Sequence, residues 1–211
     1  MYNLPYFKEK DSEVMLNFMR EHPFSFLTGV DQNNKPVATQ VPVFIDERDG
    51  KLFITGHIMK NTDHHKAFLK NPEVLAVFTG PHTYVSATWY ENPHQASTWN
   101  YMSVHARGKI QFGGRDELIS ILKRLTLHYE NNDTSSTTIF DNLPSEYTES
   151  LMKAIVSFEI EVTALENVFK LSQNRDQKSY QNIIDKLQAG NSDSRYIAEE
   201  MAKRKAQLFS K

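Results

Sequence analysis

The sequence predicts a mainly β chain with flanking helices: a small closed barrel of about six strands, followed by a helical appendage. Three observations carry this. From Phe24 onward the apolar residues leave helical spacing for short alternating runs, broken by turn clusters at Asp31-Gln32-Asn33-Asn34 and at Asp46 to Gly50. These runs recur over the middle of the chain, and a sheet of that many strands removes its exposed edges by closing on itself. After residue 175 the spacing returns to the helical period, interrupted at Gly190-Asn191.

Taken in order, Asp11 or Ser12 caps a short helix whose Val14, Met15, Phe18 and Met19 share one face, and which stops before Pro23. Strands follow at 24–30, 36–45 and 52–57, an antiparallel meander. Asn61 to Lys70 reads as a helix ended by Asn71-Pro72. Further strands are expected at 74–79, 84–89 and 99–112. The stretch 116–130 is helical, with Leu118, Leu122, Leu125 and Tyr129 on one side. Polar residues 131–138 form a loop, Ser145 caps a helix over 146–155, and Phe158, Ile160 and Val162 alternate with Glu159 and Glu161 as a last strand. Helices at 176–189 and 194–210 close the chain. The expected division is a barrel domain over 1–170 and a helical appendage over 171–211, packed on the barrel or on a partner subunit.

The 211 residues suffice for a sizeable core, and 39% hydrophobic with 24% charged residues is the balance of a folded globular protein. A formal net charge of -2 gives no bulk positive field for nucleic acid or anionic lipid, so a DNA role needs a local patch. With no cysteine there is no disulfide, thiolate metal site or cysteine nucleophile. The N-terminus lacks the apolar run of a signal peptide, no window approaches a membrane span, and a cytoplasmic protein is expected. His64 and His65 are neighbours, about 100° apart on a helix, and no His-Glu-x-x-His occurs, so no metal site is expected. No Gly-x-Ser-x-Gly elbow is present either.

The site signal lies between His57 and His105, which hold six of the eight histidines and both tryptophans, Trp89 and Trp99. Imidazoles and indoles supply rigid flat area with a polar edge, which suits a pocket for a planar ring. Gly56-His57, the run Phe78 to Ser86, Trp89-Tyr90, Thr98-Trp99-Asn100-Tyr101, Val104-His105 with Gly108, and Lys170 to Arg175 resemble the PaiB family of FMN-binding negative transcriptional regulators. The resemblance spans most of the chain. It implies an FMN-binding split β-barrel related to the pyridoxamine-phosphate-oxidase fold, a homodimer with two cofactor clefts at its interface, and regulation of protease and sporulation genes.

Residue by residue, the resemblance places a first cofactor segment on His57, Lys60, Asn61 and Thr62. There a helix N-terminus offers N–H groups to a phosphate, Thr62 a hydroxyl and Lys60 a charge. The segment departs from the family's usual wording, and Asp63 sets a carboxylate beside that seat. Ser103 and His105 share one strand face, and the resemblance turns that face to the flavin. His105 also reads as an ordinary barrel-interior histidine, and Trp99, Asn100 and Tyr101 either line the cleft or plug the barrel end. Lys170, Ser172, Gln173 and Asn174 either close the cleft from above or form a connection in which Ser172 caps a turn. No catalytic residue is marked; any enzyme activity would be that of an FMN-dependent oxidoreductase, and a flavin-free interaction protein is the remaining alternative. A direct DNA contact would fall to Lys203-Arg204-Lys205, whose position at a helix C-terminal end also suits the macrodipole.

Overall fold

The computed structural model describes residues 1–210. Strand β1 (Phe24–Val30) pairs antiparallel with β2 (Pro36–Arg48), in register from Phe24 opposite Pro42 to Val30 opposite Pro36. Asp31 builds the turn between them, its carboxylate accepting the amides of Asn33 and Lys35 at 2.8 and 2.9 Å. The next turn is tighter than the sequence suggests. β2 runs on to Arg48, and only Asp49 and Gly50, at φ 52° and 73°, separate it from β3 (Lys51–Met59). Two left-handed residues in a row give the hairpin twist that matches its strands.

β3 is followed by α2 (Asp63–Lys70), β4 (Glu73–Val85) and β5 (Thr98–Phe112). Then come α3 (Arg115–Tyr129), α4 (Ser145–Ala154) and β6 (Ile155–Lys170). The six strands close in the order β1-β2-β3-β6-β5-β4, which is the barrel expected from the alternation. β4 is one strand where two were expected, since it continues through Gly80-Pro81. Its pairing with β1 covers Leu75 to Val77, so the N–H that Pro81 lacks falls beyond that ladder. Residues 87–89 form a 3₁₀ turn instead of strand, with the Ser86 hydroxyl accepting the Thr88 amide. β6 extends past Val162 to Lys170 through Thr163 to Asn167, where the sequence has no alternation to reveal it.

The chain forms two compact units, interleaved in sequence. One comprises 23–77 and 106–165. Its core is the inward row of the meander: Val43, Ile45, Ile54, Ile58, Phe158 and Ile160 are buried, while Thr55, Glu159 and Glu161 alternate to the other face. The other comprises 1–22, 78–105 and 166–211. It includes α1 (Ser12–Glu21), capped by Asp11, α5 (Gln177–Gln188), capped by Asp176, and α6 (Ser192–Phe209), capped by Asn191. Leu16, Phe18, Met102, Phe169, Ile183, Ile197 and Met201 are buried here, and the Tyr180 hydroxyl donates to the Met201 carbonyl at 2.9 Å. The last helices thus belong with the first one, by packing that no local signal in 171–211 specifies.

Candidate functional site

The first predicted segment lies in the unit of residues 23–77 and 106–165. His57 on β3 is half-buried opposite Ser157 of β6. Its Nδ1 is buried without a hydrogen-bond partner, and burial alone holds the imidazole below its ordinary pKa. The ring is therefore neutral at pH 7, with an edge nitrogen still to be satisfied. Asn61 takes φ 64°, and its amide donates to His65 Nδ1 at 3.1 Å. Thr62 is the N-cap of α2, accepting from the His65 amide at 3.3 Å and donating to the Met59 carbonyl at 3.1 Å. The Asp63 carboxylate accepts the His64 amide at 2.7 Å. The N–H groups expected to seat a phosphate are thus partly occupied by the helix's own cap. Lys60 is anchored by its amide to the Ala154 carbonyl at 2.8 Å, and its side chain borders an open cavity with Arg115, Glu149 and Lys153.

The remaining predicted residues lie in the other unit, where several are drawn together by a polar cluster. Asn100 is fully buried; its carbonyl oxygen accepts the Ser172 hydroxyl at 3.0 Å, and its amide reaches Met201 Sδ at 3.5 Å. Lys170 donates to the Thr98 hydroxyl and, at 2.7 Å, to the Trp99 carbonyl. Burial lowers its pKa, with the nearby Arg175 adding to the effect. Gln173 accepts the Leu171 amide at 2.7 Å and donates to the Phe169 carbonyl, and Ser172 turns the chain at φ 62°. Ser103 donates to the Phe78 carbonyl at 3.0 Å. Lys170, Ser172 and Asn100 tie the end of β6 to the start of β5, Ser103 ties β5 to β4, and all have spent polar groups doing so. Asn174 is exposed.

Trp99 and Tyr101 do face outward. With Thr79, Gly80 and His82 they line a shallow pocket of about 300 Å³. Trp99, 52% exposed, lies 5.7 Å from the His82 ring and 6.1 Å from Tyr84. Gly80 is packed against α1, where a Cβ would stand 2.8 Å from the Phe18 ring and 3.0 Å from the His22 ring. Burial raises the Tyr101 pKa, with Tyr2 contributing. His105 is half-buried on the same strand. Ser157 was not among the expected residues, although its hydroxyl is a second buried, unpartnered polar atom beside His57. Its only trace in the sequence is a small polar residue on the face that Glu159 and Glu161 share. Among the described residues no group of three His, Asp or Glu side chains is placed to hold a metal ion.

Comparison with known proteins places this architecture. The family model described as "Putative FMN-binding domain" matches residues 1–164. The chain belongs to this FMN-binding family. A member-like relative, the protease synthase and sporulation protein PAI 2 of Bacillus subtilis, is 35% identical over 202 residues, 95% of this chain and 96% of the relative. FMN is accordingly the cofactor that family membership supports. Among solved structures, a conserved hypothetical protein of Mycobacterium tuberculosis superposes with a TM-score of 0.57 at 10% identity, over 81% of this chain and 91% of that one. The FAD and heme binding protein of Mycobacterium smegmatis gives 0.52 at 12% identity, over 77% and 72%. These two likenesses establish the fold, as the resemblance led us to expect. Among the described residues no helix is long and apolar enough to cross a membrane.

Proposed function

We propose that this FMN-binding protein is a cytoplasmic negative transcriptional regulator of protease and sporulation genes that works as a homodimer. The observation that carries the reading is the 35% identity, across nearly the full length of both chains, to a protein named for protease synthesis and sporulation. The structure adds support for a flavin ligand. His57 Nδ1 is buried and still lacks a partner at the head of the predicted segment, which fits a ligand carrying hydrogen-bonding groups on its edge. His57, Lys60, Asn61 and Thr62 are proposed flavin contacts in one unit. Trp99, Tyr101 and His105 are proposed separately in the other. Bound FMN supplies an isoalloxazine ring able to take up and release electrons.

The dimer reading rests on an apolar strip across β1 and its neighbours. Phe24 is 61% and Phe26 42% exposed; Pro42 lies opposite Phe24, and Val77 and Gln40 lie opposite Phe26 in the two ladders. Two phenylalanines exposed side by side on one strand face support a subunit contact there. Direct DNA contact through the C-terminal cations is disfavoured by their bonding. Arg204 is held by Glu200 and Glu9, Lys203 by Glu200, and Lys205 by Gln181. The decisive experiment pairs visible absorbance after incubation with FMN with secreted protease activity of host cells lacking the gene. Retained flavin colour and raised protease are expected. A colourless protein refutes the flavin reading, and unchanged protease output refutes the regulator.

A further inference from the structure

Lys170, the last residue of β6, is 9% exposed, yet among the described residues no carboxylate pairs with it. An ammonium taken out of water without a counter-ion is costly. The nitrogen meets neutral groups instead: it donates to the Thr98 hydroxyl and, at 2.7 Å, to the Trp99 carbonyl, while the rings of Tyr2 and Phe7 stand 5.9 Å away. Charge-assisted hydrogen bonds and ring faces offset the desolvation. Filling this volume needs no charge, since a methionine has nearly the same length. What the ammonium adds is a hold on two successive residues of β5.

Those two residues open β5, and the second carries an exposed indole. Trp99 is 52% exposed, and its ring meets His82 at 5.7 Å and Tyr84 at 6.1 Å. An exposed side chain ordinarily exchanges rotamers on the picosecond to nanosecond scale. On a strand the main chain sets the direction in which each side chain leaves. A clamp on the Thr98 hydroxyl and the Trp99 carbonyl therefore fixes where the indole starts, and the two β4 rings limit where it turns. Lys170, both β5 residues and both β4 rings belong to one compact unit. An aromatic face ordered in advance relieves a stacking ligand of the entropy cost of ordering it.

We propose that Lys170 is the positioning residue of Trp99: its ammonium locks the first two residues of β5 and so holds the indole in one orientation, open to a planar ring. That this ring is a flavin rests on the flavin contact proposed for Trp99; the hold on the indole does not. Time-resolved fluorescence anisotropy tests it on the full chain carrying Trp89→Phe, in which Trp99 is the single indole. In that parent chain the indole should tumble with the whole protein, without a faster component. Lys170→Met keeps the length of the side chain and removes the charge and both hydrogen bonds. A sub-nanosecond component should then appear, and FMN titrated by absorbance should bind roughly tenfold more weakly. Asn100→Ala loosens the same strand end through a different bond, the one with Ser172, and should leave the indole ordered. An indole already free in the parent chain, unmoved by Lys170→Met, or freed equally by Asn100→Ala overturns the proposal. Should Lys170→Met fail to fold, Thr98→Val, which removes one of the two acceptors, decides alone: it should release the indole in part, and an unchanged decay overturns the proposal. A parent chain that holds its indole but takes up no FMN refutes the flavin contact and leaves the positioning role standing.

Discussion

Replacing Gly108 by alanine should be among the most damaging single-methyl changes available in this chain. The added Cβ would sit 2.4 Å from the Glu161 carbonyl oxygen, 2.7 Å from Ile160 Cγ2 and 3.0 Å from the Glu161 carbonyl carbon. Ordinary contact begins near 3.4 Å, so the closest approach is about 1 Å too short. A side-chain tip could swing away from such a clash. Here the obstacle is β6 backbone, and β6 cannot retreat, because Ile54 and Phe53 of β3 hold Ile160 and Glu161 in register from the other side. Overpacking ordinarily costs about 1–3 kcal/mol, and a rigid backbone target puts this case at about 3 kcal/mol or above. At a urea slope of roughly 2 kcal/mol/M the unfolding midpoint should fall by about 1.5 M. Gly50→Ala is the control: no atom lies within 4 Å of its Cβ, but its φ of 73° is strained for alanine, for a cost of about 1 kcal/mol. Urea unfolding followed by circular dichroism measures both. If Gly108→Ala unfolds within about 1 kcal/mol of wild type, or Gly50→Ala proves the more costly, the account of a close strand contact is wrong.

Other expectations follow from the same coordinates. Asn100→Ala removes the acceptor of the Ser172 hydroxyl and leaves it buried, at a cost of about 2–3 kcal/mol in thermal unfolding; an unchanged midpoint would remove Asn100 from its structural role. Burial raises the Asp46 pKa, but hydrogen bonds and charge from Arg124 outweigh it and hold the carboxyl below 3.8. Its stabilising share is thus complete above that value and lost as pH falls through the folded pKa, so the stability gap between wild type and Asp46→Asn should close on acidification below pH 3.8. The His57 ring should titrate by NMR below 6.5, and protonating it should oppose folding as pH drops past that point; a midpoint above 6.5 contradicts the buried placement. For the dimer, Phe24→Glu with Phe26→Glu should yield a monomer by light scattering, while a wild-type monomer would refute that part of the proposal.

Alternation and turn residues made the β1–β3 meander and the cap at Asp11 legible, since each depends on contacts a few residues apart, whereas the expected closing of the sheet is completed only where His57 of β3 meets Ser157 of β6, far along the chain. The aromatic and imidazole cluster located the region of interest and the family it resembles. Sequence could not say which polar side chains were already spoken for. Asn100 with Ser172 and Lys170 with Trp99 meet across about seventy positions, and only the folded strand ends show them bonded inward. Likewise, Ser157 looks like one more exposed polar residue of a strand until Gly113 is brought against it. Short-range periodicity decides which residues become strand or helix. Long-range register decides which of their polar atoms are satisfied and which, like His57 Nδ1, keep a hydrogen bond still to make.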